Sequence, residues 1–154
     1  MVGDSSGLVD QARRLAERGH AGQTDKAGQA YIGHVNRVAR SVVPQEPVYV
    51  ATAYLHDVVE DCGITLDDLG AQGLPVEVLN AVALLIRVEG VRAEEYYRRI
   101  RCNPIALAVK IADVGDNSDP QRLAMLDAPT RQRLKEKYRN ALLALGQPAL
   151  AASV

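Results

Sequence analysis

Leu8, Ala12, Leu15 and Ala16 recur at the three- and four-residue spacing of one helix face, and Gly19 supplies a stop. The segment Gly19–Gly33, GHAGQTDKAGQAYIG, has few large apolar residues and reads as a loop. Apolar positions return at Val35, Val38, Ala39 and Val42, which predicts a second helix from His34 until Pro44. Pro47 suits the first turn of a third helix, running through VYVATAYLHDVVED to a stop at Gly63. Thr65 is a good N-cap for the short TLDDLG turn, whose acids sit where a helix N-terminus favours them. Pro75 opens VEVLNAVALLIRV, apolar on most sides and expected near the centre of the core. Ala93 to Arg101 is polar and basic, a surface helix. Pro104 then opens an apolar stretch closing near Asn117. Pro120 starts a short helix, and Thr130 is expected to cap the last one, from Arg131 to about Leu145. No period-two alternation of useful length occurs, so the expected fold is all-α: a single-domain helical bundle over 1–154 with its core at about 8–145.

A length of 154 residues suits one domain of ordinary size. Eighteen basic against 19 acidic side chains leave a formal net charge of -1, without the basic excess of a nonspecific nucleic-acid binder. No apolar run reaches the ~18 residues needed to span a bilayer. The N-terminal MVGDSSGLVD has neither the basic nor the apolar region of a secretory signal. Two cysteines, Cys62 and Cys102, make neither a disulfide framework nor a Cys-rich zinc site. A soluble cytoplasmic protein, with no nucleic-acid and no membrane partner, is the expectation.

The informative residues are acids and histidines embedded in apolar segments. In YLHDVVED, His56 and Glu60 lie one helical turn apart, as do Asp57 and Asp61. Such crowding of ionisable groups is costly unless a cation or proton compensates, and imidazole with carboxylate suits a transition metal. His34, after the loop, and Asp113, in the apolar LAVKIADV, complete a set of two nitrogens and two oxygens around one ion. That set leaves positions open for water and substrate. Each residue alone has a plainer reading. HDVVED can be a solvated helix end, Asp113 can pair with Lys110 or Arg122, His20 can be a surface or capping residue, and Cys62 a small helix-end residue. Glu94, Glu95, Arg98 and Arg99 read as a solvated face. Joint occurrence favours the metal site.

Three blocks, GHAGQTDKAGQAYIGH, AYLHDVVEDCGIT and NPIALAVKIADVGDN, resemble in order and spacing those of the HD-domain phosphohydrolases. The resemblance is to the hydrolase domain of the RelA/SpoT type and its small stand-alone relatives, which cleave the 3′-pyrophosphate from guanosine alarmones. It covers the chain from the first helix through Tyr138 and implies an all-helical bundle. It implies His34, His56, Asp57 and Asp113 as ligands of a metal, usually manganese (Mn2+). Glu60 and Asp61 match the acidic pair near the attacking water, and Asn117 the asparagine near the substrate. Lys26 and Tyr31 match the basic and aromatic positions of the loop. Several positions depart from the family pattern. Asp25 stands for the arginine of an Arg-Lys pair, Val35 and Ala30 for prolines, Ile86 for a threonine, and Asp116 for a histidine or tyrosine. None touches the metal set; several touch the substrate side.

The resemblance thus implies metal-dependent hydrolysis of a phosphoester in a small-molecule nucleotide, first among them guanosine-3′,5′-bis(diphosphate). Glu60 and Asp61 would orient water and take its proton, while Lys26, Asn117 and Arg122 hold phosphates and Tyr31 stacks on a base or merely edges the core. Another nucleotide or phosphorylated cofactor is the alternative that Asp25 motivates. A non-catalytic nucleotide-binding module is the third reading, disfavoured by the intact acidic pair. The chain is expected to end soon after the bundle, leaving control to external factors or to a homo-oligomer.

Overall fold

The computed structural model describes residues 5–154. Residues 1–4, where the segment weighed for a secretory signal begins, lie outside the described residues. Chain order runs α1 (Ser5–Gly19), α2 (Tyr31–Ser41), α3 (Pro47–Leu55), α4 (Val58–Cys62), α5 (Leu66–Ala71) and α6 (Val76–Leu85). There follow α7 (Ala93–Arg101), α8 (Pro104–Asn117), α9 (Pro120–Leu123), α10 (Ala128–Ala144) and α11 (Pro148–Ala152). The fold is all-α; among the described residues, extended pairing is limited to one isolated bridge between Thr24 and Ala30. No described helix is long and apolar enough to cross a membrane.

Helix α3, PVYVATAYL, is apolar almost all round, which marks a helix enclosed by others. It packs against α1, α2, α6 and α8. One core cluster joins Ala12, Val35, Leu55, Val58, Leu69 and Val82; a second joins Val38, Ala53, Leu85, Ile100 and Val109. Because α3 supplies residues to both, the chain segment just after Leu55 is fixed between two packed layers. Helix α7 is less superficial than its composition suggests, since Tyr96 and Ile100 are buried.

Several boundaries differ from expectation. Helix α2 begins at Tyr31, so that residue lies in a first turn rather than in the loop. The expected third helix is two helices, broken at His56 and Asp57; Asp57 has φ -111 and ψ 1. His56 Nδ1 lies 2.6 Å from the Ala53 carbonyl oxygen and donates to it at the break. Helix α6 stops at Leu85, and Ile86 is extended. Asp127, not Thr130, caps α10: its side chain accepts from the Thr130 amide. Helix α11 has too few residues to show a period, and the sequence reading missed it.

Two stops agree. Gly63 ends α4 with φ 68, a left-handed conformation that glycine adopts without strain. Thr65 forms a reciprocal capping box with Asp68 on α5. Thr65→Ala is expected to lower the unfolding free energy by about 1 kcal/mol in urea titration.

Candidate active site

Three segments meet at one point. His34 comes from the first turns of α2, His56 and Asp57 from the α3–α4 break, and Asp113 from the third turn of α8. One donor atom from each lies within 4.8 Å of the others, so the group can hold a metal ion. The break matters here. Adjacent side chains on an unbroken helix diverge by about 100°, whereas His56 Nε2 and Asp57 Oδ2 stand 3.0 Å apart.

The histidines are oriented from behind. His34 Nδ1 is 2.7 Å from Asp116 Oδ2, and His56 Nδ1 faces the Ala53 carbonyl. These partners turn both Nε2 atoms inward, the arrangement typical of metal-ligating histidines. Inside, His34 Nε2 lies 3.0 Å and His56 Nε2 3.4 Å from Asp113 Oδ1. His56 Nε2 is fully enclosed yet has no aligned hydrogen-bond partner, although two carboxylates are near. A buried polar atom without a partner is costly, and a cation among these four groups removes that cost. The donor set fits a divalent ion.

Burial opposes charge throughout, but the neighbours prevail. His34 and His56 are pushed above the ordinary imidazole range despite desolvation, His56 by Asp57 and Asp113 and His34 by Asp113 and Asp116. Asp113 is held well below the usual carboxylate range, against burial, by Lys110 and both histidines. Lys110 Nζ sits 3.1 Å from Asp113 Oδ2, so the plain salt-bridge reading of Asp113 holds, while its Oδ1 faces both histidines.

Glu60 and Asp61 lie on α4 with exposed side chains. Glu60 accepts from the Arg87 amide and lines a cavity of about 170 Å³ together with His56, Asp57 and Asp113. Burial and the charge of Asp57 push both carboxyls upward, a direction that favours proton uptake. Asp61 is not part of that lining; its backbone carbonyl accepts from Gln23 Nε2 at 2.9 Å.

Lys26, Tyr31, Asn117 and Arg122 line a second cavity, of about 320 Å³. Lys26 is exposed there. Tyr31 donates its hydroxyl to Asp57, and its ring lies between those of His20 and His34, with centroids 5.0 and 5.4 Å away. It therefore positions a cluster carboxylate as well as edging the cavity. Asn117 donates to Asp113 Oδ1 at 3.1 Å and accepts from Arg122 Nη1 at 3.1 Å. His20 is buried, not superficial: its Nδ1 is 2.8 Å from Gln23 Oε1 and 3.4 Å from Cys62 Sγ. Cys62 behaves as a small structural residue, with burial pushing its thiol upward.

Sequence reasoning noted Asp25 and Asp116 only as departures. Both contact Arg122, whose Nη2 is 2.9 Å from Asp25 Oδ2 and whose Nη1 is 2.8 Å from Asp116 Oδ2. Asp25 Oδ1 also accepts from the Ala27 and Gln29 amides, shaping the loop. Asp116 is held at about 2, against burial, by His34, Arg37 and Arg122. The available signal was spacing: Asp116 follows Asp113 by three residues on α8 and shares its face. Arg122→Ala leaves two largely enclosed carboxylates short of a counter-charge and is expected to cost about 2 kcal/mol in urea unfolding.

No family model matches the chain. A probable GTP pyrophosphokinase of Mycobacterium leprae is 30% identical over 116 residues, 69% of this chain and 15% of that protein. A guanosine-3′,5′-bis(diphosphate) 3′-pyrophosphohydrolase of Vibrio cholerae is 40% identical over 63 residues, 40% of this chain and 9% of that protein. A GTP pyrophosphokinase of Streptomyces coelicolor is 29% identical over 144 residues, 87% of this chain and 16% of that protein. The chain thus spans only 9% to 16% of the length of these relatives. The solved structure of a metazoan SpoT ortholog, described as hydrolysing ppGpp and acting in starvation responses, superposes with a TM-score of 0.73 at 20% identity. That match covers 90% of this chain and 85% of the other. With its helical architecture and these similarities, the chain carries an HD-type helical domain and is a relative of the RelA/SpoT-type proteins.

Proposed function

We propose that this chain is a metal-dependent phosphohydrolase of a nucleotide, with guanosine-3′,5′-bis(diphosphate) as substrate and its 3′-pyrophosphate as the group removed. The carrying observation is the enclosed quartet of His34, His56, Asp57 and Asp113, with both histidines anchored through Nδ1 so that Nε2 faces inward. The names of the Vibrio cholerae relative and of the metazoan structure support the substrate. The relatives named as pyrophosphokinases are matched over at most 16% of their length, and an imidazole–carboxylate cluster suits water activation.

In this reading the quartet holds a divalent ion, manganese by family precedent. Such an ion polarises a phosphoryl oxygen and brings the pKa of water toward neutrality. The chain's own groups do the rest. Lys26 and Asn117 hold the nucleotide in the larger cavity, against the apolar walls of Leu123, Leu126 and Tyr138. Arg122 contributes there while braced by Asp25 and Asp116. Glu60, fixed by the Arg87 amide, and Asp61 orient the attacking water and take its proton. The water oxygen joins the phosphorus, the bond from phosphorus to the 3′ oxygen breaks, and the acidic pair returns a proton to that oxygen. Nucleoside 5′-diphosphate and pyrophosphate leave.

A second reading keeps the site and changes the nucleotide. Asp25 occupies one guanidinium edge of Arg122, which leaves less positive charge for substrate phosphates. Pyrophosphate release from the guanosine alarmone should require manganese, and His56→Ala and Asp57→Ala should show no release above the metal-free background. Preference for a nucleotide lacking a 3′-phosphate, in the same assay, would overturn the first substrate in favour of the second reading.

Metal binding should depend on pH in a fixed direction. His34 and His56, with their raised pKa values, must each lose a proton to coordinate. Manganese affinity by calorimetry is therefore expected to fall as the medium is acidified through the raised imidazole pKa, with proton release on binding.

A further inference from the structure

The smaller cavity is the feature that the proposed function leaves without an occupant. Its volume is about 170 Å³, and one wall is the metal cluster itself, through His56, Asp57 and Asp113. Arg87, Lys110 and Lys137 converge from the other walls, each from a different segment. It shares no lining residue with the larger cavity. The two meet at the cluster, since Tyr31 and Asn117 line the larger one while bonding Asp57 and Asp113.

Tyr96 organises the basic wall. Its hydroxyl donates to the Leu85 carbonyl at 2.8 Å, which fixes the ring beside the pocket. The Arg87 guanidinium lies 4.9 Å from the ring centroid and the Lys110 ammonium 5.5 Å. Cations held this way are oriented without being neutralised. Lys110 is matched by Asp113, but Lys137 forms no ion pair among the described residues. Burial and the charges of Lys26, Lys110, Arg133 and Arg87 hold the Lys137 pKa below the ordinary lysine range. Three cations, Arg87, Lys110 and Lys137, thus balance the three carboxylates of the lining, Asp57, Glu60 and Asp113, and a divalent ion held by the quartet would tip that balance to positive, the condition under which anions are concentrated.

We infer that this cavity is a diphosphate-binding pocket, in which Lys137, Arg87 and Lys110 hold the pyrophosphoryl group as it is transferred from the 3′ oxygen to water. The inference rests on the proposed hydrolase reading for the reaction, but its anion chemistry stands on the pocket alone. Glu60 lies in the same lining, which puts the proton acceptor beside the phosphorus under attack. The nucleoside keeps to the larger cavity, so the scissile bond crosses the cluster.

The test is calorimetric titration of inorganic pyrophosphate into manganese-loaded protein, at matched free manganese, for the wild type, Lys137→Ala and Lys137→Arg. Guanosine 5′-diphosphate is titrated in parallel. Lys137 is exposed and outside the metal quartet, so both variants are expected to fold and load metal. Lys137→Ala should weaken pyrophosphate binding roughly tenfold, the loss of one charge-assisted hydrogen bond. Lys137→Arg should restore most of it, and guanosine 5′-diphosphate should be unaffected. Equal pyrophosphate affinity in wild type and Lys137→Ala overturns the pocket. Weakening of guanosine 5′-diphosphate instead overturns its assignment to the transferred group. If the pyrophosphate results are as expected but no nucleotide is hydrolysed, the pocket stands and the hydrolase reading falls.

Discussion

The structure turns on the placement of two imidazoles and two carboxylates in a largely enclosed region. His34 and His56 are 1% and 3% exposed, and Asp113 is 6% exposed. Groups this enclosed lose most of their hydration, so each must be repaid by a neighbour. The bonds from His34 Nδ1 to Asp116 and from His56 Nδ1 to Ala53 settle which nitrogen faces inward. Tyr31, Asn117 and Lys110 occupy the outward sides of Asp57 and Asp113. What remains pointing inward is a set of four donor atoms within 4.8 Å of one another, with His56 Nε2 lacking an aligned partner.

That set also divides the surface around it. On one side lies a cavity with apolar walls, an exposed lysine and a braced arginine. On the other is a smaller cavity in which three cations face the cluster and Glu60. The asymmetry follows from the elements that meet there: α9 and α10 bring leucines to the first cavity, whereas the turn after α6 brings Arg87 to the second.

The departures from the family pattern at Asp25 and Asp116 are not independent. They supply two carboxylates to one guanidinium, and Asp116 further bonds Arg37 and His34. An acid in the loop is thus balanced within the fold instead of left without a counter-charge. Arg122 links the loop after α1 to the face of α8 that carries Asp113, a span of 97 residues from Asp25 closed by a single side chain.

Much was legible in the sequence because it depends on local rules. Helix α7 falls on Ala93–Arg101 and α8 on Pro104–Asn117, where proline, glycine and apolar spacing mark starts and stops. The convergence of His34, His56, Asp57 and Asp113 was legible for a different reason: ionisable residues inside apolar segments need partners, and these four fell in the blocks that carry the family resemblance. The break at His56 and Asp57, the start of α2 at Tyr31 and the burial of His20 were not legible, because each is decided by contacts from residues distant in the chain. The same holds for the partners of Asp25 and Asp116 and for the meeting of Arg87, Lys110 and Lys137. Local sequence sets where a helix can form and what it must bury; which distant charges end up adjacent is decided only when α3 is enclosed and the faces of α2, α6 and α8 are fixed against it.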